Sequence, residues 1–573
     1  MLKYFIFYEK EKIMDYKKYI AEKINVEGID KAKLSEDICF PPNTEFGDYA
    51  LPCFKYAKVL RKSPVAIAED IKNAFALDNV ITEVTNVNGY LNFRINRNGF
   101  AESLISEILK DGNDYGKSDL GENKTICIDY SSINIAKPFH IGHLSTTVIG
   151  GALYRIYKFL GYNVVGINHL GDYGTQFGKL ISAYKRWGDE KSVENGGIRE
   201  LMRLYVKFHE EAEKDKSLED EARSYFKLIE EGDKECNEIF NKFKSATLTE
   251  IQKIYDLLQI KFDSYAGESF YNDKMQVVVD ELEKANLLVE SDGAKVVKLD
   301  DYDMPPCIIL RSDGASLYAT RDLAAAFYRA KEYNFDKCLY VVAYQQDLHF
   351  KQVFKVLELL NKPYAKDMVH VSYGMVSLEE GTMSTRKGNV IFLEDVISRC
   401  VEKALSIMEE KNAQLENKES VAKMVGVGSV IFGALSNNKM KDIVFSYDKV
   451  LNFDGETCPY VQYTGARCKS VLQKTGDIED FKIENMNEYE YELVNHLGQF
   501  KDVVVSASER YEPSLVTRYA IELAKIYNKF YFECRIMGED KNTENFRKAL
   551  TKTTLIVLEN AMGLLGIQIP DRM

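Results

Sequence analysis

Residues 125–168 constrain the fold more than any other part of the chain. An apolar, strand-like run at 125–130 feeds a polar turn. The turn opens into a segment whose Leu144, Val148, Ile149, Ala152, Leu153, Ile156, Tyr157 and Leu160 fall on one helical face, and Gly161 stops that helix. Residues 163–168 then return as a strand. A strand, a helix and a second strand in this order imply a parallel sheet. The turn carries Lys137, His140, Gly142 and His143. Two histidines around a glycine at a helix N-terminus suit a nucleotide's phosphates. Glycine permits close backbone approach, the helix end offers free N–H groups, and imidazoles donate to charge developing on phosphorus. The plainer alternatives are a pair of helix-capping histidines and, for Lys137, an exposed loop lysine.

With 573 residues the chain is too long for one core, so two to four domains are expected. Its 45% hydrophobic and 28% charged residues are those of a soluble globular protein, and no apolar run approaches the roughly 20 residues a membrane span needs. The first 14 residues lack the length and small-residue cleavage site of a signal peptide. The ten cysteines are scattered, without a Cys-x-x-Cys or a Cys/His cluster. That argues against a disulfide framework and a structural zinc site and for reduced thiols in the cytoplasm. A net charge of −13 excludes nonspecific nucleic-acid binding by the whole surface; a nucleic acid must be met by a local patch or by shape.

Three zones differ in texture. Residues 1–118 read as a small α+β domain, ending in strand-like runs at 81–87 and 90–95 around Asn88-Gly89, a hairpin signal. Residues 119–393 alternate strands and helices; the pattern of the opening unit resumes at 338–343, a helix through 353–360 and a strand at 368–373. Between the two halves, about 185–300 is highly charged and mostly helical, an insertion. From residue 394 to 573 strand signals vanish, and 3.6-period segments such as 514–532 and 545–565 suggest a helical bundle.

A second basic, Gly-containing loop, Met383-Ser384-Thr385-Arg386-Lys387-Gly388-Asn389, lies ahead of a helix and can clamp a pyrophosphate leaving group. His140-Ile141-Gly142-His143 and this loop together resemble the signature pair of class I aminoacyl-tRNA synthetases. The surroundings resemble the arginyl-tRNA synthetases in particular: residues 131–139, Asn168-His169-Leu170-Gly171-Asp172-Tyr173-Gly174, Tyr318-Ala319-Thr320-Arg321-Asp322, Gln345-Gln346-Asp347-Leu348-His349, Pro459-Tyr460-Val461-Gln462-Tyr463 and the C-terminal 564–573. The resemblance covers nearly the whole chain from Met14.

The resemblance implies a multidomain α/β protein: a Rossmann-type parallel-sheet catalytic domain, an N-terminal α+β domain that contacts the tRNA elbow, and a C-terminal all-α anticodon-binding bundle. It implies ATP-dependent activation of L-arginine to arginyl-adenylate and transfer to the terminal ribose of tRNA(Arg), with Mg²⁺ carried on ATP, no zinc, no membrane partner, and a monomer. By residue, Asp129, Tyr318 and Asp322 would meet the substrate's guanidinium, and Asn134, His140 and Gln346 its ammonium and carboxylate end. Lys137, Gly142, His143, Met383 and Ser384 would hold ATP. The family's loop lysines are absent here, so Lys137, Arg386 and Lys387 would supply the catalytic charge with His140 and His143. Many relatives carry Glu where this chain has Asp129, and Tyr173 replaces a tryptophan. Asn88, Tyr90 and Asn92 either read a splayed tRNA base or only build the hairpin. Tyr460 and Tyr463 either stack on the anticodon or belong to the core. Rival readings are another class I synthetase, a nucleotidyltransferase without a tRNA substrate, and a catalytically silent, synthetase-like tRNA-binding or regulatory protein.

Overall fold

The structure, a computed structural model, describes residues 16–41, 43, 45–311, 318–378, 391–412 and 414–573. It divides into two compact units. One takes the chain up to Tyr115 with Val471–Gly498 and Ile526–Val557; the other takes Gly116–Ser470, Gln499–Lys525 and Leu558–Met573. The division falls within the helices Ser514–Glu533 and Lys541–Leu565, close to the periodic segments expected there.

The first unit is built on an antiparallel sheet of β1 (Tyr49–Pro52), β2 (Ile81–Val87) and β3 (Tyr90–Ile95), in the order β1-β3-β2. The expected hairpin is there with its expected ends. Asn88 (φ 52°) and Gly89 (φ 89°) both turn left-handed, as a two-residue I′ loop requires. The helix Pro64–Ala74 begins on Ser63, whose side chain accepts from Ala66 N, with proline in the first turn. Asp48, 2% exposed, ties the later segments in: it accepts from Ile95 N at 2.9 Å, from Arg97 Nη2 at 3.1 Å and from the Tyr491 hydroxyl. The Arg97 guanidinium stacks 3.9 Å over the Tyr491 ring.

In the second unit β4 (Thr125–Asp129) leads through the helix Leu144–Phe159 to β5 (Asn163–Ile167). Four helices follow, Thr175–Trp187, Glu190–Lys214, Ser217–Glu230 and Lys234–Leu257. A small antiparallel sheet of β6 (Leu288–Ser291), β7 (Ala294–Val297) and β8 (Cys307–Leu310) comes next. The helix Tyr318–Tyr333 then leads to β9 (Lys337–Tyr340), and Asp347–Leu359 to β10 (Met368–His370). The central sheet, β10-β9-β4-β5, is parallel throughout. The chain leaves β4 toward β5 on one side and returns as β9 on the other. The strand order therefore reverses between β4 and β9, and the crevice beyond their carboxyl ends is where such sheets bind ligands.

Two departures from the sequence reading stand out. Strand structure does not end at residue 394: β12 (Ile443–Phe445) pairs in parallel with β11 (Val376–Leu378). Three residues are too few to display a period. The β6–β7 hairpin interrupts an insertion expected to be mostly helical, and its turn, Asp292-Gly293, has both residues left-handed. Among the described residues no helix is long and apolar enough to cross a membrane.

The crossover helix lies very close to the strand it follows. A Cβ on Gly150 would sit 2.3 Å from the Tyr130 side chain. One face further on, half-buried Arg155 donates from Nε to Leu564 O and from Nη1 to Gln259 O, both at 3.1 Å, so a single cation serves two helix C-terminal ends. Gly150→Ala gains about 1 kcal/mol of helix propensity, which cannot offset that overlap. A net loss of about 1–3 kcal/mol in stability is expected, measured as a lower denaturant midpoint with unchanged slope.

Candidate active site

Beyond Asp129 the chain makes a costly turn. Ser131 (φ 69°), Ser132 (φ 44°) and Ala136 (φ 60°) are all left-handed, at about 1 kcal/mol or more each for residues with a Cβ. A set of buried hydroxyls holds them. Thr146 Oγ1 accepts from Ser131 N at 3.0 Å and donates to Val341 O at 2.7 Å. Ser131 Oγ lies 2.8 Å from the Tyr255 hydroxyl, to which Asn168 Nδ2 also donates at 2.9 Å. Thr247 Oγ1 accepts from Ala136 N at 3.1 Å. Tyr255 and Thr247 come from the helix Lys234–Leu257, so the insertion reaches back to fix the turn. Asn134 lies against the next loop: Gly171 N donates to Ile133 O at 2.9 Å, and a Cβ at Gly171 would stand 2.3 Å from Asn134 Oδ1.

The turn ends in the two histidines. Their rings lie 3.9 Å apart, tilted by 32°. Gly142 N donates to His140 Nδ1 at 3.1 Å, and His140 N donates to His143 Nδ1 at 3.3 Å. With both Nδ1 atoms accepting, the proton of each neutral ring sits on Nε2, which is left to donate elsewhere. Burial, helped by the charge of Lys137, brings His140 down to about 4 and His143 well below the usual histidine range. Both are therefore uncharged donors at neutral pH. The same Lys137 charge acts on Glu268, whose carboxyl burial pushes up to about 7 against the opposing pull of Arg321, 3.7 Å away. The residues after the second motif run alongside this turn: Leu393 N donates to Phe139 O at 2.9 Å and Ile141 N to Ile391 O at 3.3 Å. Met383, Ser384, Arg386 and Lys387 themselves lie outside the described residues.

The crevice between β4 and β9 gathers the expected acids. Asp129 is 5% exposed; its Oδ1 accepts from Ser132 Oγ and its Oδ2 from Arg329 Nη2, each at 2.7 Å. Tyr318, 67% exposed, opens the helix on which Asp322 sits one turn later. Burial works against the Asp322 charge, but the His349 Nε2 hydrogen bond at 2.6 Å and nearby cationic groups hold its carboxyl below the usual range. Gln346 is exposed at the end of the short turn that leads into the His349 helix.

In the first unit Asn88 is exposed, and Tyr90, 46% exposed, meets Phe54 edge-on at 5.2 Å. Asn92 is buried, its amide 3.4 Å from Tyr90 O. In the second unit, on the helix Cys458–Thr475, Tyr463 is exposed with the Arg467 guanidinium 4.9 Å over its ring, and Tyr460 is half-buried.

Arg329, His349, Glu268, Arg321, Tyr255 and Thr247 escaped the sequence reading. A signal existed for three of them. Arg321 and His349 lie in motifs already singled out, and Arg329 lies two helical turns after Asp322, hence on the same face.

A parallel sheet with a histidine pair at the first crossover and a split second half fits the catalytic fold of the class I aminoacyl-tRNA synthetases. Family models agree: "tRNA synthetases class I (R), catalytic domain" matches residues 104–447, "Arginyl tRNA synthetase N terminal domain" 14–95 and "DALR anticodon binding domain" 461–573. The arginine–tRNA ligase of Clostridium beijerinckii is 51% identical over 571 residues, covering 98% of this chain and all of its own length. That of Clostridium botulinum is 52% identical over 565 residues, with 98% and 100% covered. The arginyl-tRNA synthetase structure of Thermus thermophilus superimposes with a TM-score of 0.80 at 26% identity, covering 94% of this chain and 96% of that one. The chain belongs to the arginine–tRNA ligase family.

The histidine environment has a consequence for acid stability. Unfolded histidine takes up a proton near pH 6.5, whereas folded His140 waits until about 4. Between those values the unfolded chain binds more protons, so stability falls as pH drops. Glu268, raised in the fold, works the other way over its own window, losing its contribution as pH rises toward 7. Urea unfolding between pH 6.5 and 4.5 is expected to show a slope of up to about 1.4 kcal/mol per pH unit from His140, and His140→Gln should remove that share.

Proposed function

We propose that the chain activates L-arginine with ATP and transfers the arginyl group to tRNA(Arg). The arginine carboxylate attacks the α-phosphorus of ATP, releasing pyrophosphate; the terminal ribose hydroxyl of the tRNA then attacks the carbonyl carbon of the mixed anhydride, breaking its bond to phosphate and releasing AMP. Neither step needs a covalent enzyme intermediate, so catalysis is positioning plus stabilisation of charge on phosphorus. Asp322, Tyr318 and the remaining acceptor directions of Asp129 take the substrate's guanidinium, while Asn134, His140 and Gln346 take its ammonium and carboxylate end. Gly142 and the Nε2–H of His143 are assigned to ATP, with Lys137 as the compact cation, Met383 and Ser384 as further ATP-binding residues, and Arg386 and Lys387 supplying charge for the pyrophosphate. ATP enters as its Mg²⁺ complex.

The observation that carries this reading is the histidine pair at a helix N-terminus, its rings 3.9 Å apart with both Nδ1 atoms accepting backbone N–H groups, which leaves Nε2–H on each uncharged ring to donate. Neutral donors strengthen their hydrogen bonds as phosphate charge grows without first binding the anion so tightly that the ground state is favoured. For tRNA, Tyr90 and Asn88 offer a base-stacking edge on the first unit, with Asn92 positioning the strand beneath. Tyr463, with Tyr460 beside it, offers a second stacking site in the helical region. The family resemblance points to a monomer, and the scattered cysteines suit the reducing cytoplasm.

Lys137→Ala is expected to slow adenylate formation in the presence of tRNA by about 10²–10³-fold, with arginine affinity changed less than about threefold. Single-turnover kinetics and calorimetry separate the two, and equal losses in both would remove Lys137 from the phosphate site. ATP–pyrophosphate exchange should depend on tRNA; a full rate without it contradicts that requirement.

A further inference from the structure

We propose that Arg329 is a positioning residue for arginine selection: a guanidinium of the chain's own that holds Asp129 from beneath the pocket and makes that carboxylate indispensable to substrate binding. This rests on the assignment of Asp129 and Asp322 to the substrate's guanidinium.

Arg329 is 0% exposed. Its Nη2 lies 2.7 Å from Asp129 Oδ2 and 3.5 Å from His169 Nδ1, and its guanidinium stands 5.2 Å from the Tyr340 ring. The other Asp129 oxygen is taken by Ser132 Oγ at 2.7 Å. The acid expected to bind arginine is thus already bound to an arginine, on the same helical face as Asp322. An ionised carboxylate has about four acceptor directions, and these two contacts use one on each oxygen. The remaining directions stay available to a second planar guanidinium, with the carboxylate fixed in orientation by its two partners.

Stability gives a poor reason for this pair. Desolvation of two fully buried charges offsets much of their attraction, and apolar replacements of buried pairs are often neutral or better. Breaking such a pair from one side is a different matter, because it leaves a lone buried charge. If Asp129 loses its charge, Arg329 becomes an uncompensated cation directly under the place where the substrate's cation must sit. Substrate binding then suffers twice, from a lost acceptor and from repulsion. Removing Arg329 as well should relieve the second loss.

A double-mutant cycle reads this directly. In the full-length enzyme, Asp129→Asn is expected to weaken arginine binding by about a hundredfold or more, with the KM for ATP within about threefold of the parent. Adding Arg329→Met should recover at least about tenfold of that arginine affinity. A folded double variant, with the parent's thermal midpoint to within a few degrees, that binds arginine no better than Asp129→Asn overturns the proposal. So does a parallel loss in KM for ATP. If Asp129→Asn is too unstable to assay, a double variant that folds and binds arginine supports the proposal, and a folded one without measurable binding contradicts it. Arg329→Lys keeps the charge and should hold arginine within about fivefold of the parent; a folded Lys variant as weak as the severest of the set points to packing and overturns the charge argument. Asp322→Asn tests the underlying assignment separately, since unchanged arginine affinity there removes the pocket itself, however Arg329 behaves.

Discussion

Ser131 and Ser132 turn the backbone left-handed just beyond Asp129, where the hydroxyls of Thr146, Thr147 and Tyr255 hold Ser131 and the Asp129 carboxylate holds Ser132. That turn aims one wall of the crevice. It leaves Asp129 at the strand end beside β9, carries Asn134 across Gly171, and delivers His140 and His143 to the start of the crossover helix with their Nδ1 atoms taken by backbone N–H groups. Left-handed residues with side chains persist only where their surroundings over-determine them. Here the surroundings come from three places in the chain: the crossover helix, the strand β5 end at Asn168, and the inserted helix that carries Tyr255 and Thr247.

The electrostatics of the crevice follow from the same placement. Burial keeps both histidines neutral, so the positive charge beside the histidine pair comes from Lys137 and not from imidazolium. Across the crevice the acids are each braced by a basic side chain of the chain itself, Asp129 by Arg329 and Asp322 by His349. A carboxylate held by one partner loses rotamer freedom before the substrate arrives, and that pre-organisation lowers the cost of binding a guanidinium.

Local chemistry was legible in the sequence where it was self-contained. Asn88-Gly89 announced its hairpin, and the apolar face from Leu144 to Leu160 with Gly161 behind it announced the crossover helix. Asp292-Gly293 carried the same hairpin signal inside a charged helical stretch and was passed over, because the strands beside it are four residues long. Contacts between distant residues left no local trace. Arg329 meets Asp129 across 200 residues, Tyr255 meets Ser131 across 124, and Tyr491 meets Asp48 across 443. Pattern and propensity place elements; they do not say which buried hydroxyl or cation will close a network once the elements pack. The resemblance to a family supplied Asp129, Asn134 and Asp322 as residues, but not the partners that orient them.

Tyr255→Phe tests the role of the turn most directly, because it removes one hydroxyl from a residue placed at neither the ATP nor the arginine site. It leaves Ser131 and Asn168 without that partner, at about 1–3 kcal/mol for each buried polar group left unsatisfied. Adenylate formation, measured in a single turnover with tRNA present, is expected to fall by about tenfold or more in a protein that remains folded at the assay temperature. A folded Tyr255→Phe enzyme that forms adenylate at the parent's rate would contradict the claim that the hydroxyl network holds the site.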